Sequence, residues 1–196
     1  MNSPQNDADF PDDELPPIAT DTSSTDNLIR EFVEHWGVMA RSWGINATMG
    51  ELFALLYVTG TDWTADELRE RLRISRGNVS MNLRELITWG VVHKVHRQGE
   101  RREFYRAEYE VWTLFRRILA ERKRRELDPT LALLKSTAER VGDGEALSSA
   151  RNRIIALQRF TDLIDRLATV LLTLEADQVD AIEDLLKLLE LSPKVD

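Results

Sequence analysis

The stretch from Thr64 to Ala107 limits the choice of fold more than any other part of the chain, because its hydrophobic period switches from helical to β-like within a short span. Thr64 and Glu67 form a capping-box pair that opens a compact helix ending near Leu72. Arg73 and Ile74 leave room only for a tight link. Ser75 then offers a hydroxyl to the free backbone N–H groups of a second helix. Val79, Leu83, Leu86 and Ile87 give that helix one narrow apolar face, and Gly90 ends it. The opposite face, centred near Met81, holds Gly77, Asn78, Arg84 and Thr88, with Ser80 and Asn82 towards its edges. After Gly90 the pattern becomes β-rich. Val91–Arg97 and Arg101–Ala107 flank a Gln98-Gly99-Glu100 turn and read as a hairpin. Two short helices joined tightly, then a hairpin, are the order of a winged helix-turn-helix.

The hairpin is basic. Lys94, Arg97, Arg101, Arg102 and Arg106 stand against Glu100 and Glu103. The chain as a whole is acidic, with a formal net charge of −8, but the acids gather at its ends. Every charged residue before Asn27 is acidic (Asp7, Asp9, Asp12, Asp13, Glu14, Asp21 and Asp26). Seven more acids from Glu175 onward face only Lys187 and Lys194. With both ends set aside, 24 bases and 20 acids remain, a net +4 between Leu28 and Leu174. That balance permits a nucleic-acid partner without demanding one.

Flanking segments complete a mainly α chain with a small β-hairpin. Residues 1–24, with Pro4, Pro11, Pro16 and Pro17, are too polar to build a core and read as a disordered acidic tail, either a solubilising leader or an autoinhibitory arm. Residues 25–127 read as the winged domain with flanking helices. In its first helix Thr25 and Asp26 act as caps, Leu28, Phe32, Trp36, Met39 and Trp43 lie on one side, and Gly44 is the stop. Thr48 with Glu51 opens the next helix, with Leu52, Leu55, Leu56 and Val58 as its apolar residues and Gly60 as its end. A longer helix follows the hairpin from Glu108 to about Leu127, turning Val111, Trp112, Phe115, Ile118 and Leu119 inward. Residues 128–196 read as helices for dimerisation and effector binding. A segment from Thr130 ends at Gly142-Asp143-Gly144. An amphipathic helix from Ala150 to Leu174 follows, with Ile154, Leu157, Thr161, Ile164, Leu167 and Leu171 near one face, and then a last helix from Asp177 to Leu191. Helices this rich in leucine need a partner surface. A homodimer supplies one and matches a palindromic operator.

Other classes fit poorly. There is no cysteine, hence no disulfide and no thiolate chemistry. The only histidines are His35, His93 and His96, and the odd spacing of the last two puts them on opposite faces of a strand. No catalytic grouping, metal site or cofactor is expected. No apolar run spans a membrane and residues 1–26 lack the pattern of a secretory signal, so a cytoplasmic protein is expected. An adaptor that keeps a winged-helix scaffold without DNA binding is the alternative from a different class. The retained Ser75-Arg76-Gly77-Asn78 and the basic hairpin argue against it.

The segments SRGNVSMNLRELITWGVV, GERREFYRAEYEVWTLFRRI and ERKRRELDPTLALL resemble the GbsR-like branch of the MarR superfamily of bacterial transcription regulators, over about Phe32 to Leu134. The resemblance implies a dimeric winged helix-turn-helix repressor, released by a small-molecule effector, with choline known for some members. Carried over by motif, it implies contacts with double-stranded DNA from Ser75, Arg76, Asn78, Ser80 and Met81, and from Arg97, Gln98, Arg101 and Arg102 of the hairpin. The helical pattern adds Arg84. Asn pairs with adenine and Arg with guanine in the major groove, whereas Arg76 at a helix start suits a phosphate. Among the five tryptophans, Trp36, Trp43 and Trp112 are the candidates for a cation-binding effector cage, with core packing as the plainer role.

Overall fold

The computed structural model describes residues 22–140 and 148–178. The acidic stretch before residue 22, the break at Gly142-Asp143-Gly144 and nearly all of the expected last helix lie outside the described residues. The order of elements is α1 (Thr22–Ser42), α2 (Ala47–Thr59), β1 (Trp63–Thr64), α3 (Ala65–Leu72), α4 (Arg76–Thr88), β2 (Val92–Val95), β3 (Phe104–Ala107), α5 (Val111–Arg122), a π-helical turn (Lys123–Leu127), α6 (Asp128–Arg140) and α7 (Ser148–Thr173). The outcome is a mainly helical winged fold, as expected, with a three-stranded antiparallel sheet in the order β1-β3-β2 in place of a bare hairpin.

The core forms around α2. Leu52, Phe53, Ala54, Leu55 and Leu56 are buried in succession, because α1, α3, α4 and β3 surround this helix on every side. Val58, counted apolar with them, is exposed instead. The narrow face of α4 packs here as expected through Val79, Leu83 and Leu86. Its end is a Schellman motif. Val91 N–H donates to the Leu86 carbonyl at 3.1 Å and Gly90 N–H to Ile87 at 2.9 Å, and Gly90 has φ +73°. The helix α3 closes in the same way through Arg73 at φ +54°, a left-handed non-glycine residue that no sequence signal marks.

Several local expectations change. The helix α1 starts at Thr22, so Thr25 and Asp26 lie inside it and are not caps; Asp26 instead pairs with Arg71 of α3 at 2.9 Å. Its buried residues are Val33, Gly37 and Ala40, while Leu28 and Trp43 are more than half exposed, because the axis crosses α2 at a small-residue seam. Asn46 caps α2, accepting from Thr48 N–H at 2.9 Å, in place of the expected Thr48 box. Glu110 caps α5 with both carboxylate oxygens, so this helix begins at Val111 and not at Glu108. Val111 and Phe115 face outward, while Leu114 and Ile118 reach the core.

The chain also does not stop at Asp128-Pro129. Pro129 has no N–H, and its ring would strike the carbonyl four residues back in a regular helix. The π-helical turn immediately before it widens the spiral, with Asp128 N–H donating to Lys123 O, and the helix runs on into α6. In α7 small side chains, Thr161 and Ala168, are buried against α5, α6 and the π turn, and Lys123 ties in Asp165 at 2.6 Å. Leu157, Phe160, Leu163, Ile164, Leu167 and Val170 are exposed, so Leu157, Ile164 and Leu167 of the expected apolar face are not buried by the described residues, although Leu157 and Ile164 line an open groove with Leu119 and Leu127. Among the described residues no helix is long and apolar enough to cross a membrane.

The α1–α2 seam is a close approach between two helices. A Cβ on Gly50 would lie 2.6 Å from Ala40 Cβ and 3.0 Å from the Trp36 carbonyl oxygen. Gly50→Val should therefore cost roughly 1–3 kcal/mol through overpacking. Urea denaturation at fixed protein concentration reads this directly, and an unchanged midpoint would show that the helices can part freely.

Candidate nucleic-acid interface

The candidate interface has two parts, the outer face of α4 and the tip of the hairpin. Ser75 caps α4 by accepting from Asn78 N–H at 3.2 Å, so one lone pair of its hydroxyl is engaged while the O–H remains able to donate outward. The next two positions of the candidate set differ in how they are held. Arg76 is 79% exposed at its side chain and reaches Asp66 of α3 at 3.1 Å, which steadies it beside the helix N-terminus. Asn78 and Ser80 project outward, and neither side-chain amide nor hydroxyl has a partner among the described residues. Arg84 is exposed and folds back to donate Nε–H to the Ser80 carbonyl at 3.2 Å.

Two residues that the helical pattern places on this face turn elsewhere. Asn82, placed by the helical pattern near the free face, is only 3% exposed and donates Nδ2–H to the Asn78 carbonyl at 2.8 Å. Met81 is half exposed, but it leans into a cleft of about 370 Å³ between the α1–α2 loop, α4, α5 and the π turn. The packing of α4 against α2 rotates this edge inward.

The hairpin divides its bases sharply. Asp62, in the loop before β1, is 5% exposed at its side chain and pairs with Arg106 at 2.6 and 2.9 Å and with Arg97 at 3.1 Å. The Arg97 guanidinium also lies 4.1 Å from the centre of the Phe104 ring. Lys94 pairs with Glu103 at 2.8 Å, and Arg102 with Glu100 at 2.9 Å. Gln98 and Arg101 extend from the tip, and Arg101 is the hairpin base without a partner among the described residues. Glycine is required in the turn itself: Glu100 N–H donates to Arg97 O at 3.1 Å, and Gly99 has φ +84°.

The wing is joined to the helix-turn-helix by β1. Trp63 and Thr64 pair with Tyr105 and Phe104 of β3. Thr64 simultaneously caps α3, its hydroxyl accepting from Glu67 N–H at 3.3 Å while Glu67 accepts from Thr64 N–H at 2.7 Å. Those bonds from Thr64 hold the Glu67 carboxyl below its ordinary 4.5. Sequence reasoning found the cap but missed the strand, because two residues show no periodicity. It also missed Asp62, for which the one available signal was an acid standing next to an apolar residue and a cap.

The three candidate cage tryptophans do not share one cavity. Trp36 stacks on Phe32 at 5.1 Å against the core. Trp112 stacks on Phe115 at 5.0 Å and donates its indole N–H to the Leu174 carbonyl at 2.8 Å. Trp43 alone of the three lines the cleft, where Trp89 joins it. Arg122 stands 5.7 Å from the Trp43 ring centre and Arg125 5.4 Å from that of Trp89.

A tight helix-turn-helix followed by a hairpin welded to it is a winged helix-turn-helix. Residues 43–103 match the family model described as MarR family. It is similar to three proteins of Bacillus subtilis (strain 168). It shares 25% identity over 84 residues with the putative HTH-type transcriptional regulator YvaV, covering 43% of this chain and 48% of the relative. The HTH-type transcriptional repressor OpcR is 23% identical over 118 residues, covering 60% and 62%. The HTH-type transcriptional repressor GbsR is 25% identical over 123 residues, covering 63% and 66%. The matches thus span about half to two thirds of the length of these relatives. A solved structure described as a transcriptional regulator shares the fold with a TM-score of 0.57 at 23% identity, covering 74% of this chain and 95% of that one.

Asp62 is the testable centre of the wing. The hydrogen bond from Arg106 holds its carboxyl below the ordinary 3.8, with Arg97 adding to the effect and burial opposing it. A carboxyl depressed by folding stabilises the native state at neutral pH, and that contribution is lost as pH falls through its folded value, below about pH 4. Asp62→Ala should cost roughly 1–2 kcal/mol at neutral pH, since both arginine partners are about half exposed. The gap between wild type and variant, read from urea midpoints, should close on acidification; a gap that stays constant down to about pH 3 would remove the ion pairs as its cause.

Proposed function

We propose that this protein is a cytoplasmic DNA-binding transcription regulator that works as a homodimer and acts as a repressor. The observation that carries the reading is the outward row Arg76, Asn78, Ser80 and Arg84 on α4, set beside a hairpin tip that offers Gln98 and Arg101. In this reading α4 enters the major groove. There Asn78 and Ser80 read base edges, Ser75 and Arg76 meet phosphate at the helix start, and Arg84 reaches a base or phosphate further along. The tip lies along the backbone or minor groove. Arg97 and Arg102 act chiefly by holding the hairpin, through Asp62 and Glu100, and Met81 supplies at most an apolar contact. Residues 25–127 form the DNA-binding unit, which also holds the candidate effector cleft, and residues 128–196 form the dimerisation region.

The dimer reading is supported by the exposed row Leu157, Phe160, Leu163, Leu167 and Val170 on α7, larger than a soluble monomer would ordinarily leave open. The repressor reading is supported by the similarity to OpcR and GbsR, both named as repressors. For the effector, the cleft against α4 offers Trp43 and Trp89. A quaternary ammonium such as choline would displace Arg122 or Arg125 from a ring face and so disturb the wall that α4 provides.

Binding through several phosphates must weaken steeply with salt. Arg101→Ala should weaken binding to all duplexes alike and reduce the salt slope by about 1, whereas Asn78→Ala should relax discrimination at one position per half-site. Equal losses for Asn78→Ala on cognate and random duplex would contradict its role, and absence of binding to any fragment of the protein's own promoter region would favour the adaptor class. The choline reading predicts a saturable change in tryptophan fluorescence; a flat titration to high millimolar choline would remove it.

A further inference from the structure

The helix α4 rests on α2, α3 and β2, yet its C-terminal half is also fastened to the helical arm formed by α5, the π turn and α6. Two arginines do this. Arg117 of α5 donates to the Gly90 carbonyl just beyond α4, while pairing with Glu108 at 2.8 Å. Eight residues further on, Arg125 in the π turn bonds Glu85 of α4 and Glu121 of α5. The indole N–H of Trp89 donates to the same Glu85 oxygen at 3.1 Å, and Arg125 lies over that ring. Glu121 is almost fully buried. Its carboxyl is held below the ordinary 4.5, first by the bond from Arg124, which reaches it at 2.5 Å.

Helical spacing makes this arrangement possible. Arg124 and Arg125 stand three and four residues after Glu121 and both reach back to it, while the fork of Arg125 keeps a second arm free for α4. The Glu85–Arg125 pair is poorly placed to serve stability alone. Its side chains are 36% and 41% exposed, and surface pairs of that kind contribute little to folding. Its geometric effect is larger, because it joins the element that faces DNA to the element that continues towards α6.

We propose that Arg125 is a positioning residue that sets the angle between α4 and the helical arm. In a dimer it thereby sets the half-site spacing the protein accepts. The inference rests on the DNA-binding, dimeric reading above.

The test begins with the inverted repeat that the full-length wild type recovers from a random duplex library of about 40 base pairs. Derivatives of that repeat are made with the half-sites moved closer or further apart by one or two base pairs, and affinities are measured by fluorescence anisotropy. Each added base pair both shifts and rotates one half-site against the other, so the wild type should lose about tenfold or more per step. Arg125→Met, which keeps the apolar stem over Trp89, and Glu85→Gln, which keeps the shape, should each flatten that profile to within about threefold. The double variant should be no flatter than either single one, since all three remove one bridge. Affinity for an isolated half-site, the salt slope and the thermal midpoint should stay at wild-type values, which separates positioning from folding. A variant profile with the wild-type shape, whatever the overall affinity, overturns the proposal. If the wild type recovers no preferred sequence, the DNA-binding reading falls and takes the inference with it. Recovery of an unrepeated half-site removes the dimer on which the spacing depends, and the inference with that.

Discussion

The pairing of Trp63 and Thr64 with β3 is the constraint on which the rest of the winged unit depends. An isolated two-stranded hairpin is marginal in water, and a third strand with a buried face makes it persist. Here the third strand is two residues long and sits between a nearly buried acid and a helix cap. Asp62 draws Arg97 and Arg106 onto the sheet, Trp63 joins the core margin, and Thr64 starts α3. The wing and the helix-turn-helix therefore move as one body, so the tip residues Gln98 and Arg101 stand at a defined offset from the N-terminus of α4.

This has a consequence for charge. The hairpin looks strongly basic, but Asp62, Glu100 and Glu103 neutralise most of that charge within the domain. A wing that spends its cations internally presents a small, directed positive charge at its tip instead of a broad basic surface. This reconciles an acidic chain with the proposed nucleic-acid partner: the local field at the tip matters more than the total of −8.

On the opposite side of α4, a second group of side chains links this helix to the helical arm. The cleft beside it is walled by Met81, Asn82, Glu85 and Trp89 of α4 and closed by Arg122 and Arg125. Anything that enters this cleft meets the back of the helix whose front carries Asn78, Ser80 and Arg84. The π turn before Pro129 gives the arm its local geometry. Without it the ring of Pro129 would strike the carbonyl four residues back.

The helix-turn-helix was legible because its signals are local. A capping box at Thr64, an N-cap at Ser75, an apolar stripe through Val79, Leu83 and Leu86 and a glycine at residue 90 each act within a few residues, and all four stand in the structure. The hairpin was legible for the same reason. Tertiary packing decided the rest. Which side of α1 is buried depends on the seam at Gly37, Ala40 and Gly50, and so Leu28 and Trp43 came out exposed. The large apolar residues of α7 turned outward because small ones fit against the arm. The clearest case is the arginines. In sequence Arg97, Arg101, Arg106 and Arg125 are equivalent cations. Only the fold, by bringing Asp62 and Glu85 to some of them across 35 to 44 residues of chain, separates those that hold the protein together from the one left facing out.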